Sequence, residues 1–326
     1  MPNLGGPAAA GGRPQVTKPL SVLFIRRVQV FRGHHLKVFN YMSHAASVPW
    51  LRPRAFIGPR SDEAILARHL PPEIERVDVV TPADIYFVSG LDWNALDNRG
   101  IDTSEAPVIH LVQHFYPADP ADPRFQFLAR PALRICIGPE VADAVAPLAN
   151  GPVVTIPNCV EVDDAFDADI SPGLRVFIGG LKNPDGARAC AAILSAQGVE
   201  VDLCDAPVPR PEYLKRMRAC EVSLLLPDPI EGFYLPALEA MALGSAAVVP
   251  DCVGNRSFCV DASNCLMPAY EPPAMAAAAI RLLRDEELRG RLKRGGKATG
   301  ADYSLQRERV QALQAFRRVV EWRGSR

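Results

Sequence analysis

The sequence holds 326 residues, 48% hydrophobic and 22% charged, enough to bury a sizeable core and long enough for about two domains. Its 36 basic and 37 acidic side chains leave a net charge of −1, which gives no support to nucleic-acid binding or to a polybasic membrane anchor. No apolar run approaches the ~18–20 residues that a membrane helix needs.

Residues 1–18 are rich in Gly, Pro and Ala, lack an apolar signal core and predict a flexible tail. A strand is predicted over Ser21–Ile25, followed by a basic loop, Gly33-His34-His35 and a helix over Leu36–Ala46. Short β-rich runs follow at Arg54–Ile57, Val77–Val80, Asp84–Val88, Val108–Val112, Leu133–Ile137 and Val153–Ile156. Helical patterns lie between them at Ser61–His69 and at Pro139–Ala146. Strands alternating with helices predict a parallel sheet covered on both faces.

The alternation restarts after an acidic connector, Glu161–Pro172. Strands are predicted at Leu174–Ile178, Val199–Cys204, Val222–Leu226 and Ala246–Val249. The helices between them are Pro184–Gln197, Glu212–Cys220 and Leu235–Leu243. Three more helices, over Pro273–Arg284, Glu286–Arg294 and Ser304–Trp322, close the chain. None of the eight cysteines forms a C-x-x-C pair, and the reading is one of reduced, buried thiols in a cytoplasmic protein.

Chemistry concentrates in Glu231-Gly232-Phe233-Tyr234-Leu235-Pro236-Ala237-Leu238-Glu239, which follows a buried strand and opens a helix. Gly232 permits close backbone approach, and Pro236 suits a first helical turn. A helix N-terminus at the carboxyl end of a parallel strand is a ligand crevice that favours phosphates and hydroxyls. Two carboxylates at that end can hold hydroxyls of a sugar and of a ribose.

The frame E-G-F-x-L-P-x-L-E-A-M-A-x-G resembles the signature of family 4-like retaining glycosyltransferases of the GT-B fold. Val253-Gly254-Asn255-Arg256, Asn264-Cys265-Leu266-Met267-Pro268 and Ile156-Pro157-Asn158-Cys159-Val160 are similar to further family segments, and the likeness runs from about residue 133 to 320. It implies an α/β fold of two Rossmann-like doubly wound domains. An acceptor domain would span 19–165 and a nucleotide-sugar-binding domain 166–305, with a terminal helix, 306–326, crossing back to the first.

The resemblance assigns Glu239 to the ribose, Glu231 to the donor sugar, and the amides of Phe233, Tyr234 and Leu235 to the sugar or the diphosphate. Lys182 fits the diphosphate-neutralising lysine, an ammonium serving phosphate as a point charge. Two departures stand out: Gly180 where the family has arginine, and Tyr234 where it has glycine. In the first half, Gly33 occupies the place of the glycine-rich donor or acceptor loop, with His34 and His35 as acceptor candidates.

The strand ending Leu111-Val112-Gln113-His114 is similar to one that supplies a polar group near the reacting sugar, either Gln113 or His114; as a catalytic residue, His114 could donate to the sugar or accept the nucleophile's proton. Asp92 and Trp93, at another strand end, are further acceptor candidates. His110 and His114 share a strand face by period two, but without a carboxylate or cysteine at ligand spacing no metal site is expected.

The implied function is transfer of a sugar from a nucleotide diphosphate sugar to a glycan, lipid-linked or small-molecule acceptor, with retention and without a cofactor or metal. The setting would be cell-surface polysaccharide or glycoconjugate assembly, with peripheral membrane contact left open. The alternatives are a non-catalytic partner subunit of the same fold and a natural-product glycosyltransferase. Donor base, donor sugar, acceptor and oligomeric state are not readable.

Overall fold

In a computed structural model of the protein, residues 18–29, 33–104, 106–161 and 173–325 are described; the side chains of His34 and Leu174 are not. The predicted tail (1–17 of it), the domain boundary at 165/166 and most of the acidic connector lie outside the described residues. The first half runs β1 (Leu20–Arg26), α1 (Gly33–Ala46), β2 (Leu51–Ile57), α2 (Glu63–His69), β3 (Glu75–Val77), β4 (Ile85–Ser89), α3 (Trp93–Asp97), β5 (Val108–Val112), β6 (Leu133–Cys136), α4 (Pro139–Val145) and β7 (Val153–Thr155). The second runs β8 (Gly173–Gly179), α5 (Pro184–Ala196), β9 (Val201–Cys204), α6 (Arg210–Arg218), β10 (Cys220–Leu225), α7 (Leu235–Ala242), β11 (Ala246–Val248), α8 (Pro272–Arg284), α9 (Glu286–Asp302) and α10 (Leu305–Gly324).

Two sheets result, in the orders β3-β2-β1-β4-β5-β6-β7 and β11-β10-β8-β9, and every strand pair is parallel. Both faces of each sheet are buried, so its strands are apolar at successive positions. In β1, Val22 and Phe24 join one core while Leu23 and Ile25 join another; in β8, Phe177 and Ile178 divide in the same way. The strand order reverses between β1 and β4 in the first sheet and between β8 and β10 in the second. Such reversals open crevices beyond the carboxyl ends of the strands, where ligands of open α/β sheets bind.

The predicted run Val77–Val80 forms a strand slightly earlier, at Glu75–Val77, where it pairs with Arg54–Phe56 of β2. The helix predicted over Glu286–Arg294 continues to Asp302. Gly296 and Gly300 there let α9 lie close against α7: a Cβ on Gly300 would stand 2.9 Å from the Ala242 Cα. Helix α10 returns to the first sheet, where Phe316 meets Phe24 and Phe87 at ring-centroid distances of 6.3 Å each.

At the rear, α10 is tied to α1 by a buried polar cluster. Lys37 Nζ stands 2.6 Å from Glu308 Oε2 and donates to the Pro157 carbonyl at 2.7 Å. His44 Nε2 lies 3.2 Å from Glu308 Oε1, and Asn40 donates to the same oxygen at 3.3 Å. These partners hold the Glu308 carboxyl down at about 2 despite its burial. All eight cysteines are free thiols, seven of them buried.

Candidate functional site

The two crevices face each other across a cleft of about 820 Å³. The loops after β8 and β10 bring Lys182 and Glu231 together, with Nζ 2.7 Å from Oε1. Glu239, one turn into α7, is buried, and Arg210 at the start of α6 reaches it from above. Arg210 Nε and Nη2 both meet Glu239 Oε1, at 3.0 and 2.8 Å, which leaves Oε2 for a ligand. Arg210 was missed by sequence reasoning; its only signal was a cation opening a helix in the loop after β9.

The local backbone explains why this segment reads as it does. A Cβ on Gly232 would stand 2.9 Å from the Gln113 carbonyl, so the loop of one half meets the strand end of the other only through glycine. A Cβ on Gly254 would stand 2.6 Å from the Phe233 nitrogen, and the Gly254 carbonyl accepts from the Tyr234 N–H at 3.0 Å. The Val253-Gly254-Asn255 turn thus clamps the segment from behind. Asn255 completes the clamp by donating to the Pro250 carbonyl at 2.9 Å.

This clamp corrects the expectation for the three amides. The Tyr234 N–H is taken by Gly254, and the Leu235 N–H donates to the Phe233 carbonyl at 3.2 Å. Among the described residues only the Phe233 N–H of the three makes no hydrogen bond, so it alone is left for a ligand. Tyr234 itself is buried, its hydroxyl pKa raised by desolvation.

Gly180 is dictated by packing. A Cβ there would lie 2.1 Å from the Ala187 Cβ on the first turns of α5, so no arginine fits without moving that helix. Among the described residues, the cations that line the second half's wall of the cleft are Lys182 and Arg210.

Opposite, Gln113 and His114 both line the cleft at the end of β5. His114 stacks on Tyr116 with ring centroids 3.6 Å apart, and its Nδ1 accepts from the Tyr116 N–H at 3.3 Å. With Nδ1 accepting, the neutral ring carries its proton on Nε2, and a backbone hydrogen bond with Ile230 ties the ring to the opposite wall. Its pKa is lowered, first by burial and then by the Arg124 charge. His110 is fully buried against the Trp93 ring edge, 5.7 Å between centroids, and burial pushes its pKa down to about 3.

The remaining acceptor candidates divide. Gly33 lines the cleft, while the His35 side chain is buried in the packing of α1; the His34 side chain lies outside the described residues. Trp93 is corrected: it is fully buried, stacked on Phe127 at 6.0 Å and covered by the Arg130 guanidinium, and offers no face to a sugar. Asp92 is corrected too. Its carboxylate accepts from Arg26 Nη1 and from the Ser89 N–H, each at 3.1 Å, so it holds Arg26 and does not itself line the cleft. Arg26 had been read as part of a basic loop, whereas it ends β1 inside the crevice. Among the described residues no three His, Cys, Asp or Glu side chains gather as a metal-holding group.

Residues 165–285 match the family model described as glycosyl transferases group 1. Over that stretch the chain is similar to group 1 glycosyl transferases. A 144-residue stretch is 32% identical to the D-inositol 3-phosphate glycosyltransferase of Frankia alni, covering 43% of this chain and only 34% of that protein. The chain's match therefore spans about a third of the length of that relative.

Solved structures extend the likeness over both halves at the level of fold. Sucrose-phosphate synthase from Thermosynechococcus elongatus superposes with a TM-score of 0.65 at 13% identity, covering 92% of this chain and 99% of that one. Anabaena HepE in complex with UDP superposes with a TM-score of 0.69 at 12% identity, covering 91% and 99%. The fold is GT-B, two Rossmann-like units and a helix that crosses back.

Proposed function

We propose that the protein transfers a sugar from a nucleotide diphosphate sugar to an acceptor hydroxyl, with retention of configuration and without a metal. The observation that carries this reading is the cleft wall in which Lys182, Glu231, Arg210 and Glu239 converge at the strand reversal of the second sheet. HepE, of the same fold, has been solved with UDP-glucose bound, which supports a nucleotide sugar as donor.

In this reading Oε2 of Glu239 accepts from the ribose hydroxyls, while Lys182 and Arg210 neutralise the diphosphate as it leaves. Cations aimed at developing negative charge act strongly in a water-poor cleft and supply the stabilisation that a metal ion would otherwise give. Glu231 holds a donor-sugar hydroxyl once Lys182 turns to the phosphate, and His114 meets the sugar from the opposite wall when its hydrogen bond with Ile230 gives way. The paired carboxylates serve binding, since both rise from one helix end instead of flanking a bond from two sides. The setting we infer is cytoplasmic assembly of a cell-surface polysaccharide or glycoconjugate. Among the described residues no helix is long and apolar enough to cross a membrane.

Calorimetric titration with UDP, GDP, ADP and TDP tests the proposal, repeated for Glu239→Ala and Lys182→Ala. One nucleotide is expected to bind and both substitutions to weaken it. A folded sample that binds none would overturn the donor site and favour a partner subunit that keeps the fold without the chemistry, as Gly180 and the two occupied amides would then suggest.

A further inference from the structure

The two walls of the cleft differ in charge. Among the described residues its carboxylates, Asp228, Glu231 and Glu239, come from the second half of the chain. From the first half the cleft receives Arg26, Arg124 and neutral polar groups, and among the described residues no carboxylate. At its floor Arg26 ends β1 and Ser89 ends β4, which places the guanidinium at the strand reversal of the first sheet. The N-terminus of the 14-residue helix α1 opens into the same cleft at Gly33, with no acidic residue in its first turn.

Arg26 is built in rather than loosely attached. It is only 9% exposed, and Nη1 is fixed by Asp92 at 3.1 Å and by the Ser89 carbonyl at 3.5 Å. Nε is buried without a partner, and Nη2 makes no hydrogen bond among the described residues. A buried guanidinium with donors left over is costly unless an acceptor completes it. Asp92 meets Arg26 from outside the lining of the cleft, and burial raises its pKa.

We propose that the acceptor carries an oxyanion, a phosphate monoester or a carboxylate, and that Arg26 receives it between the α1 N-terminus and the end of β4. The inference rests on the glycosyl-transfer reading, because it names the chemistry of the second substrate of the same cleft. A planar guanidinium held at one nitrogen still offers its other edge to an oxyanion. Arg124 stands further out, its fork closed by Asp122 with Nε 2.7 Å from Oδ1, and stacks on Tyr116 at 5.8 Å. It adds positive potential at the mouth and leaves Arg26 the inner site.

The test is equilibrium binding of glucose 6-phosphate, glucuronate and glucose to the full chain with its donor site filled by the nucleoside diphosphate found above. At least one anion should bind about tenfold or more tightly than glucose, the scale of a charge-assisted hydrogen bond. Which anion wins distinguishes phosphate from carboxylate. The gap should close in Arg26→Gln and reopen in part in Arg26→Lys. Because Arg26→Gln leaves Asp92 buried and unpaired, Arg26→Gln with Asp92→Asn is measured alongside, nucleotide binding reporting that each variant is folded. Equal binding of glucose, no binding of either anion, or a gap that survives both substitutions would overturn the proposal. Failure of the nucleotide itself to bind would instead overturn the glycosyl-transfer reading.

Discussion

Carboxylate–cation pairs hold both the front and the rear of this molecule, and the two sets are built for opposite ends. At the rear, Glu308 meets Lys37, His44 and Asn40 with both oxygens occupied, and Lys37 and Glu308 are almost wholly buried. At the front, Lys182 is half exposed on Glu231, and Arg210 uses one oxygen of Glu239 and leaves the other. The same residue types thus become a fixed joint where water is excluded and every acceptor is used, and a site where one partner stays free to move. Burial and leftover valence make the difference, not charge.

Removing one side of each pair should separate the two sets. Glu308→Ala leaves Lys37 buried without its counter-ion and should cost about 3–5 kcal/mol in chemical denaturation. A loss under about 1 kcal/mol would mean that the rear is no more a joint than a surface pair is. Glu239→Ala should do the reverse. Nucleotide affinity in calorimetry is expected to fall about tenfold or more, because charge-assisted hydrogen bonds to the ribose disappear, while the fold survives. Lys182→Ala is the mildest of the three. Its stability should stay within about 0.5 kcal/mol of the parent, while nucleotide affinity drops and becomes less sensitive to salt.

Acid sharpens the contrast further. Glu308 titrates lower in the fold than in the unfolded chain, so its stabilisation is present above its ordinary value of 4.5 and is lost as pH falls towards about 2. His110, down at about 3, binds its proton more readily when unfolded, so stability begins to fall below its ordinary 6.5 and continues to about 3. Both run the same way. Melting temperature should therefore decline below about pH 6.5, and His110→Gln should flatten the upper part of that decline while leaving the lower part. A flat curve from pH 7 to 4 in the parent would contradict the burial of both groups.

Much of this was written in the chain. Short continuous apolar runs between turn signals mark the strands, and a parallel sheet covered on both faces follows from their alternation with helices. The motif from Glu231 to Glu239 named its own crevice because glycine, proline and two carboxylates around a helix start are a local pattern. Lys182 was legible as one of only six lysines, placed at a strand end.

What the sequence could not decide depends on contacts between distant segments. Trp93 beside Asp92 looks the same in sequence whether it lines a cleft or closes a core, and only the packing of Phe127 and His110 around it decides. Arg26 carries no local mark, and Arg210 only that of a cation at a helix start. One becomes a cleft residue because the first sheet reverses its strand order at β1, the other because α6 starts above α7. Gly180 needed Ala187, 2.1 Å from any Cβ placed there, to explain why no arginine stands at that strand end. Local spacing determined the elements and the motif; which side chains face the cleft was left to long-range packing, since only the assembled sheets fix what each strand end opposes.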